Sequence, residues 1–452
     1  FLFLDFIFTF RTDRVGNLET KMNRVFENWD KMPGDYVAIL GAGISGKGAS
    51  ALLAQLGWDY KMYDEQERAF TYAEARACSI VICSPGFKKT HQWRKIAKEC
   101  GKKIITETDF ASNFTQSKII AVTGTNGKTT LATFLTHLYE ISGKPAVVAG
   151  NVGIPLSQLV ADGLDSESTI FLETSSFQSE DLVHLTPETV LWTNFDEDHL
   201  DYHESKSDYF HAKSRLLKLG EDGSLLIGET VNNFAKKVGF TLPTHCRVIK
   251  RTQAERLGLN PDLFLTTYPQ VENIALAHAF SVNQGIDQDL FIKAVETYTP
   301  EPHRLQNIGT IGEATFWNDS KATNFASALA ACKNFKGNLF WIGGGRSKGG
   351  MIEEFARKIK PLIHRAFLIG ESGKVLSKIF TTDSFPCSWF ESLDDAFKKA
   401  FSEVSQKTSI LMSPGFASFD SFRDYTHRGN SFINLFLDLK KITSRSTHDR
   451  FA

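Results

Sequence analysis

The sequence has almost no net charge, no closely paired cysteines and no apolar run long enough to cross a bilayer. Lysine and arginine total 51 against 52 aspartate and glutamate, so no overall field favours nucleic acid or membrane. The six cysteines include no Cys-x-x-Cys pair, which argues against a disulfide framework or a zinc site and fits reduced thiols. No repeat or low-complexity tract occurs. We therefore expect a soluble, cytoplasmic monomer that binds no nucleic acid and has no stable membrane association.

The N-terminal segment Phe1–Phe10 is strongly apolar, but Asp5 interrupts it and it is too short for a membrane span. It has no basic start and no small-residue cleavage site, so we do not expect a signal peptide. Met22 stands shortly before the first ordered pattern. We interpret residues 1–21 as a start-site extension without a role, in preference to a membrane anchor, and residues 1–33 as an N-terminal extension.

The chemistry is predicted to centre on Lys118–Thr130, where an apolar run ends in a glycine-rich loop and a helical pattern follows. Gly124 and Gly127 allow a tight turn, Lys128 supplies a positive charge, and the hydroxyl of Thr129 can join the shell of a Mg²⁺ ion. Only two residues separate the glycines, whereas the strict phosphate-loop pattern has four. The order of strand, loop and helix still predicts a nucleotide site.

A second glycine-rich turn, Gly41–Gly46, follows the apolar strand predicted at Tyr36–Leu40. Asp64 ends another predicted strand about twenty residues later, which completes the spacing of a dinucleotide-binding turn. Taken alone, this pattern indicates either an NAD-dependent oxidoreductase or a tight turn without a ligand. Ser84–Gly86 ends a third strand, at the edge where ligands bind in open α/β sheets.

Polar loops also follow later predicted strands. They are Gly150–Pro155, Glu173–Gln178, Asn194–Asp201, Asn318–Asn324, Gly343–Gly349 and Ser413–Asp420. Glu173 lies where a metal ligand or a water-positioning group is usual beside a phosphate loop, and the acidic Asn194–Asp201 segment favours a metal-facing site over a solvated loop. Lys213, on a predicted helix with mixed neighbours, is expected from its neighbours alone to be an ordinary surface lysine.

The alternation of strands and helices predicts an α/β fold with mainly parallel sheets in three domains. We expect a Rossmann-like first domain over residues 34–116 and a central P-loop-type ATPase domain over residues 117–299. A second Rossmann-like domain is expected over residues 300–452, after the proline-containing linker Pro300–Arg304.

Together, the loops after about Pro33 closely resemble those of the Mur ligases of bacterial cell-wall synthesis. The resemblance rests on Thr123–Thr129, Gly150–Gly153, Glu173–Gln178, Asp198–Asp201, Glu301–Arg304, Asn318–Asn324 and Ser413–Phe432. The segments Asn318–Asn324 and Ser413–Ser418 point to the member that adds D-glutamate. The Asp-Asn-Pro-Arg motif of the meso-diaminopimelate-adding member does not occur.

The resemblance implies an acid–D-amino-acid ligase of peptidoglycan synthesis that uses ATP and Mg²⁺. ATP would phosphorylate the carboxylate of UDP-N-acetylmuramoyl-L-alanine, and D-glutamate would attack the resulting acyl phosphate. It also implies that the Gly41–Gly46 turn holds UDP, not NAD. Two alternatives stay open: a related ligase with another acceptor, such as a folylpolyglutamate synthase or another Mur ligase, and an NAD-binding sensor or dehydrogenase.

Residue by residue, the resemblance assigns five groups. The catalytic residues would be Lys128, Glu173, His199 and Lys213, and the metal ligands Thr129, Glu173, His199 and a carbamylated Lys213. ATP would contact Gly124, Thr125, Asn126, Gly127, Lys128, Thr129, Thr130, Asn273, Arg304 and Asp319. The UDP substrate would contact Ile44, Ser45, Asp64, Gly86 and Asn151. Ser175 and Gln178 would also bind substrate. D-Glutamate would contact Lys321, Thr323, Lys348, Ser418, Phe419 and Tyr425. Gln66 and Gln270 stand where the family often has an arginine and an asparagine.

Overall fold

The computed structural model describes residues 34–200, 202–261 and 263–448, so the predicted extension over residues 1–33 lies outside the described residues. The chain divides into two compact units. The first runs to Phe195 and includes Ser207–Gln253 and Ala275–Glu296. The second contains Asp196–Lys206, Ala254–Ile274 and the chain from Thr297 onward. The domain boundaries expected at residues 116/117 and 299/300 stay predictions.

The first unit begins with a four-stranded parallel sheet in the order β2-β1-β3-β4. Its strands are β1 (Tyr36–Leu40), β2 (Tyr60–Tyr63), β3 (Cys78–Cys83) and β4 (Ile104–Thr106). The helices between and after them are α1 (Ile44–Leu56), α2 (Tyr72–Ala77), α3 (Gln92–Glu99) and α4 (Glu107–Ser112).

A six-stranded parallel sheet follows in the same unit, in the order β10-β9-β8-β5-β7-β6. Its strands are β5 (Ile119–Thr123), β6 (Ala146–Gly150), β7 (Thr169–Glu173), β8 (Thr189–Trp192), β9 (Ser224–Gly228) and β10 (Arg247–Ile249). The accompanying helices are α5 (Lys128–Ile141), α6 (Leu156–Ala161), α7 (Ser176–Ser179), α8 (Lys206–Leu219) and α9 (Glu229–Lys237). The chain continues through α10 (Thr252–Glu255), α11 (Gln270–Asn283) and α12 (Gln288–Thr297).

The second unit contains a six-stranded sheet in the order β11-β12-β16-β13-β14-β15. Its strands are β11 (Gln306–Ile311), β12 (Ala314–Asn318), β13 (Asn338–Gly344), β14 (Arg365–Ile369), β15 (Cys387–Phe390) and β16 (Thr408–Met412). Its helices are α13 (Phe325–Cys332), α14 (Ile352–Ile359), α15 (Gly370–Thr382), α16 (Leu393–Ser402) and α17 (Tyr425–His448).

The third sheet is mainly parallel, as predicted, and departs from this arrangement at one edge. β11 pairs antiparallel with β12, while the other pairs in this sheet are parallel. The cause is local, because only Gly312 and Glu313 separate the two strands and such a short loop can join only antiparallel neighbours. Gly312 has φ 56°, a left-handed conformation that glycine adopts without strain.

Apolar side chains on both faces of the strands explain why the sheets are buried. In the first unit, Ile39 and Ile82 of the first sheet share one core with Ala121 and Leu172 of the second sheet. In the second unit, the neighbouring residues Trp341 and Ile342 point to the cores on opposite faces of the sheet. None of the helices in the described ranges is both long enough and apolar enough to cross a membrane.

Candidate functional site

The glycine-rich loop after β5 adopts a conformation that its two glycines make possible. Gly124 has φ 151° and lies so close to the side chain of Thr193 that a Cβ there would overlap its hydroxyl oxygen. Gly127 has φ 81° and caps the N-terminus of α5. Because left-handed φ values cost little only for glycine, both positions favour this residue. The loop is therefore held close to the end of β8.

The two residues that follow β8, Thr193 and Asn194, fix the glycine-rich loop through hydrogen bonds. The backbone N–H of Thr125 donates to the carbonyl oxygen of Asn194 at 3.0 Å, and the N–H of Asn126 donates to Asn194 Oδ1 at 2.9 Å. The hydroxyl of Thr193 donates to the carbonyl oxygen of Asn126 at 2.6 Å. The sequence did not identify these two positions as supports of the loop, because the contacts span nearly seventy residues.

Lys128, the first residue of α5, folds its side chain back over the loop. Its ammonium Nζ donates to the carbonyl oxygens of Gly124 and Thr125, both at 2.9 Å. The first N–H groups of a helix have no partner within the helix, and the helix dipole is positive at this end. The ammonium and the start of α5, including Thr129 and Thr130, thus form a positive site suited to a polyphosphate.

The carboxylate of Glu173 ends β7 in a buried position, with 2% of the residue exposed. Its Oε1 accepts a hydrogen bond from Asn151 Nδ2 at 2.9 Å. Its Oε2 is also buried but has no hydrogen-bond partner within the described ranges. A buried oxygen without a partner costs free energy, and a cation would remove that cost.

These residues fit a magnesium ion. The described residues contain no group of three or more His, Cys, Asp and Glu side chains that could hold a metal. Mg²⁺ does not need such a cage, because it keeps several waters and binds one or two carboxylates together with substrate phosphates. Glu173 Oε2 and the hydroxyl of Thr129 would hold the ion, which would screen the negative charge of a triphosphate.

Lys213 is buried, which corrects the expectation of a surface lysine drawn from its neighbours alone. Only 1% of the residue is exposed, and its Nζ lies 4.8 Å from the centre of the Tyr209 ring. The hydroxyl of Tyr209 contacts Thr125 Oγ1 at 3.3 Å, so α8 also touches the phosphate loop. The residues Tyr209, Lys213, Leu216 and Leu217 lie on one face of α8, and all four are buried. This spacing was the signal in the sequence that could have predicted the burial.

Ser175 and Gln178 cap α7. The Ser175 hydroxyl accepts from the N–H of Gln178 at 3.3 Å, and Gln178 Oε1 accepts from the N–H of Ser175 at 2.9 Å. This reciprocal pair satisfies two backbone donors at the helix start and explains the two residue types structurally. Their contact with substrate stays a prediction.

The structure brings Asp64 to the Gly41–Gly46 turn, as the spacing predicted. Asp64 Oδ2 accepts from the N–H of Ala42 at 3.5 Å. Ser84 lies against Gly41, where a Cβ would overlap its side chain, so the Ser84–Gly86 loop borders the same turn. Ile44 and Ser45 begin the 13-residue helix α1, and Ile44 is 75% exposed. An exposed apolar side chain beside a helix N-terminus and a carboxylate suits a nucleotide.

Arg304 and Asp319 interact electrostatically in the second unit. Asp319 Oδ1 accepts from the N–H of Leu305 at 3.0 Å, and its Oδ2 accepts from the Ser413 hydroxyl at 2.6 Å. Burial raises the pKa of Asp319 to about 6, although these hydrogen bonds and Arg304 act to lower it. Asn273, in the same unit, donates from Nδ2 to Gln270 Oε1 at 2.8 Å. Gln270, which stands where the family often has an asparagine, therefore contacts Asn273.

A polar cluster in the second unit joins His199 to part of the predicted D-glutamate site. Asp198 accepts from Asn324 Nδ2 at 2.9 Å and pairs with Lys348 Nζ at 3.7 Å. His199 Nε2 lies 3.6 Å from Asp198 Oδ2, and Lys348 Nζ lies 3.4 Å from Thr323 Oγ1. The prediction named His199, Lys348 and Thr323 but gave no role to the central Asp198 or to Asn324.

The other residues predicted for D-glutamate form a separate group. Lys321 Nζ pairs with Glu301 Oε2 at 3.4 Å and lies 5.2 Å from the centre of the Tyr425 ring. Ser418 is buried, whereas Phe419 is 63% exposed. Lys321 therefore contacts Tyr425, and Lys348 contacts Thr323. A common site for all six residues stays a prediction.

Arg428 is a buried residue to which the sequence assigned no role. Its guanidinium donates to Ser320 Oγ at 3.0 Å, to the Ser320 carbonyl oxygen at 2.9 Å and to the Phe416 carbonyl oxygen at 3.2 Å. Burial lowers its pKa to about 10, while Asp420 and Asp319 act to raise it. Arg428 thus ties α17 to the loops that follow β12 and β16.

Two family models match the chain. The model described as the Mur ligase middle domain matches residues 122–277. The model described as Mur ligase, glutamate ligase domain matches residues 303–416. Together they span the phosphate loop, Glu173, Lys213 and the Asp198 cluster.

Curated relatives align with the chain almost from end to end. One from Thermoanaerobacter pseudethanolicus, named UDP-N-acetylmuramoylalanine--D-glutamate ligase, is 27% identical over 91% of this chain and 100% of its own length. Relatives of the same name from Nitratidesulfovibrio vulgaris and Protochlamydia amoebophila are each 28% identical. They cover 88% and 89% of this chain and 95% and 98% of their own lengths.

Solved structures share the fold at lower identity. The UDP-N-acetylmuramate-alanine ligase MurC from Thermotoga maritima superposes with a TM-score of 0.56 at 15% identity, covering 89% of this chain and 99% of that protein. The MurF ligase from Thermotoga maritima in complex with ADP has a TM-score of 0.54 at 13% identity, covering 81% and 96%. These likenesses confirm the predicted α/β fold class.

Proposed function

The chain belongs to the Mur ligase family, and from this premise we propose that it is the ATP-dependent ligase that adds D-glutamate to UDP-N-acetylmuramoyl-L-alanine. An ATP-driven reaction is supported by the anchored phosphate loop, over which the Lys128 side chain lies. Glu173, with its buried oxygen that has no hydrogen-bond partner among the described residues, ends β7, the neighbour of β5 in the sheet. The choice of acceptor is supported by relatives of that name that align with about nine-tenths of the chain.

The reaction would proceed in two steps. A carboxylate oxygen of the L-alanine residue attacks the γ-phosphorus of ATP, the bond to the ADP oxygen breaks, and an acyl phosphate forms. The amine of D-glutamate then attacks the acyl carbon, inorganic phosphate leaves from the tetrahedral intermediate, and the nitrogen loses a proton. Phosphoryl transfer of this kind depends on position and charge neutralisation more than on covalent help from the protein.

The residues of the first unit would supply these two effects. Lys128 and the N-terminus of α5 hold negative phosphate oxygens, while Thr193 and Asn194 keep the loop in one conformation. Glu173 and Thr129 would hold Mg²⁺, which would add positive charge next to the phosphates. A carbamate on Lys213 would give the buried side chain a carboxylate-like end suited to a metal ion. His199, which belongs to the second unit, keeps its predicted role as a metal ligand.

The remaining substrates would bind at the other predicted groups. Asp64 and the Ile44 end of α1 would receive the UDP portion, and Lys348 and Lys321 would neutralise the two carboxylates of D-glutamate. Arg304, Asp319 and Asn273, in the second unit, keep their predicted role as ATP contacts. We place the reaction in the cytoplasm, where UDP-linked precursors and ATP are available, and expect a monomer without stable membrane association.

Phosphate release from the purified protein tests the proposal. We expect release only when ATP, Mg²⁺, UDP-N-acetylmuramoyl-L-alanine and D-glutamate are all present, with one phosphate for each amide bond formed. L-Glutamate at the same concentration is the matched control and should not substitute. Phosphate release that does not depend on D-glutamate would contradict the proposal. A preference for L-alanine, or for a folate with L-glutamate, would favour another member of the family.

A further inference from the structure

A cavity of about 330 Å³ opens in the first unit, and none of the residues that line it belongs to the predicted substrate or metal sites. Its walls come from the ends of β3 and β4, from α3, from the segment after α7 and from α8. The volume lies within the range of small-molecule sites, roughly 300–1,000 Å³. It is therefore large enough for a compact metabolite.

The lining is strongly basic, with five lysine and arginine side chains against two acidic ones. The acidic residues are already neutralised inside the wall. Glu180 pairs with Lys89 at 2.9 Å, and Asp181 pairs with Arg94 at 2.6 Å. With five basic and two acidic side chains, the lining has a net positive charge, so the cavity attracts anions.

Several of these cations are held in position by the protein. The Arg94 guanidinium, whose side chain is 5% exposed, donates to the carbonyl oxygen of Phe87 at 3.0 Å as well as to Asp181. Arg215 donates from Nε to the carbonyl oxygen of Leu182, and Lys102 donates from Nζ to the carbonyl oxygen of Arg76 at 3.2 Å. Side chains that are already ordered lose less entropy when they bind a ligand.

We propose that this cavity binds a small polyanionic metabolite that carries phosphate groups. A lining with five basic and two acidic side chains matches a ligand with several negative charges better than a monoanion. Arginine and lysine together recognise phosphate oxygens, the first through its planar fork and the second as a point charge. Arg94, which is buried, and Asp181, which is partly exposed, form an ion pair in the lining, and Lys98 is an exposed lining residue.

The cavity is connected to the predicted catalytic elements through the chain. Glu180 and Asp181 follow directly after α7, whose capping residue Ser175 is two residues from Glu173. Arg215 lies two residues after Lys213 on α8. A bound polyanion that draws Lys89 and Arg94 toward itself would loosen their pairs with Glu180 and Asp181, which follow the end of α7, and would thereby affect catalysis. This effect on catalysis rests on the proposed function, whereas the binding itself does not.

The binding experiment titrates pyrophosphate into the Lys128→Ala protein by isothermal calorimetry at constant ionic strength, so that the phosphate loop contributes little. We expect saturable binding, which Lys98→Glu/Lys102→Glu in the same background weakens by more than about tenfold through charge reversal. The matched control, Lys95→Glu/Lys103→Glu, makes the same change in net charge at residues that do not line the cavity and should bind as the parent does. Lys98→Gln/Lys102→Gln repeats the test with a milder change if the reversal variant misfolds.

Ribose 5-phosphate and citrate separate the possible anion classes. Binding of pyrophosphate or ribose 5-phosphate, with citrate weaker, supports a phosphate-bearing ligand, whereas equal binding of citrate overturns that class. Loss of all binding in Lys128→Ala, or equal weakening by the control pair, overturns the cavity as the site. Because these titrations contain no ligase substrates, a failed ligase assay would leave their outcome intact. In an active enzyme, pyrophosphate should alter kcat/KM for the UDP substrate, and Lys98→Glu/Lys102→Glu should abolish that response.

Discussion

Asn151 donates a hydrogen bond from Nδ2 to one carboxylate oxygen of Glu173, at 2.9 Å, while the second oxygen of Glu173 is buried without a hydrogen-bond partner among the residues that the structure describes. Asn151 orients the carboxylate, and the second oxygen is the one available to a cation. Glu173 ends β7, and Asn151 directly follows the neighbouring strand β6, whose last residue Gly150 pairs with Glu173. Parallel pairing therefore places a polar residue from each strand at the same edge of the sheet.

Glu173→Gln should lower kcat at least roughly 100-fold, because the neutral amide cannot replace the charge that holds Mg²⁺ beside the phosphates. The concentration of Mg²⁺ needed for half-maximal activity should rise as well. The melting temperature without metal should stay unchanged or increase, since the substitution removes a buried charge. Steady-state kinetics over a range of Mg²⁺ concentrations and a thermal melt provide these values. If the variant needed the same Mg²⁺ concentration as the wild type, Glu173 would not be a ligand of the metal.

Asn194→Ala should raise the KM for ATP by roughly tenfold with a smaller effect on kcat, because the loop loses the side-chain contacts that keep it in one conformation. Asn194 Oδ1 accepts from the N–H of Asn126, and its Nδ2 donates to the Asn126 carbonyl oxygen at 3.1 Å. Thr193→Ser is the matched control, since it keeps the hydroxyl that donates to Asn126. An unchanged KM for ATP in Asn194→Ala would show that the loop needs no such support.

The sequence predicted the sites at strand ends because parallel α/β sheets place those ends at one edge. β1 coincides with the predicted strand Tyr36–Leu40, because a continuous apolar run that ends in a glycine-rich turn favours a buried strand. The positions of Asp64 and Glu173 followed from the same rule. The support of the loop by Thr193 and Asn194 could not be predicted, because nothing local to either segment indicates that β5 and β8 are neighbours.

Lys213 illustrates a different limit of the sequence. Its charge predicted a solvent-exposed side chain. The apolar residues on the same helix predict burial only if it is known which face of the helix packs against the core. In the structure it lies on the same buried face of α8 as Tyr209 and Leu217. The antiparallel β11 was also predictable in principle, since the two-residue connection at Gly312 and Glu313 excludes a crossover helix.

Lys213→Ala should be nearly inactive and should recover part of its activity in the presence of a short-chain carboxylic acid such as formate or acetate. The reason is that a carboxylate entering the vacated space would replace the oxygen atoms of the proposed carbamate. Lys218→Ala, on the exposed face of the same helix, is the matched control and should show neither the loss nor the rescue. Full inactivity without rescue, in a variant with a normal circular dichroism spectrum, would argue against the carbamate.

Asp319→Asn should change the dependence of stability on pH. Burial raises the pKa of Asp319 to about 6 in the folded protein from a usual value of 3.8. Between these values the folded state keeps a proton that the unfolded state releases, so the contribution of this group to stability is largest below pH 3.8. It is lost as the pH rises through 6. From pH 4.5 to 7.5 the wild type should lose about 2 kcal/mol that the variant keeps.

Scanning calorimetry of both proteins at pH 4.5 and pH 7.5 measures the difference. The melting temperature of Asp319→Asn relative to the wild type should increase by several degrees between the two pH values, because each kcal/mol shifts the midpoint by a few degrees in a domain of this size. Asp222→Asn, at an exposed position, is the control and should follow the wild type at both pH values. If the gap between Asp319→Asn and the wild type were constant with pH, Asp319 would ionise near its usual value, and its buried contacts with Leu305 and Ser413 would outweigh the cost of burial.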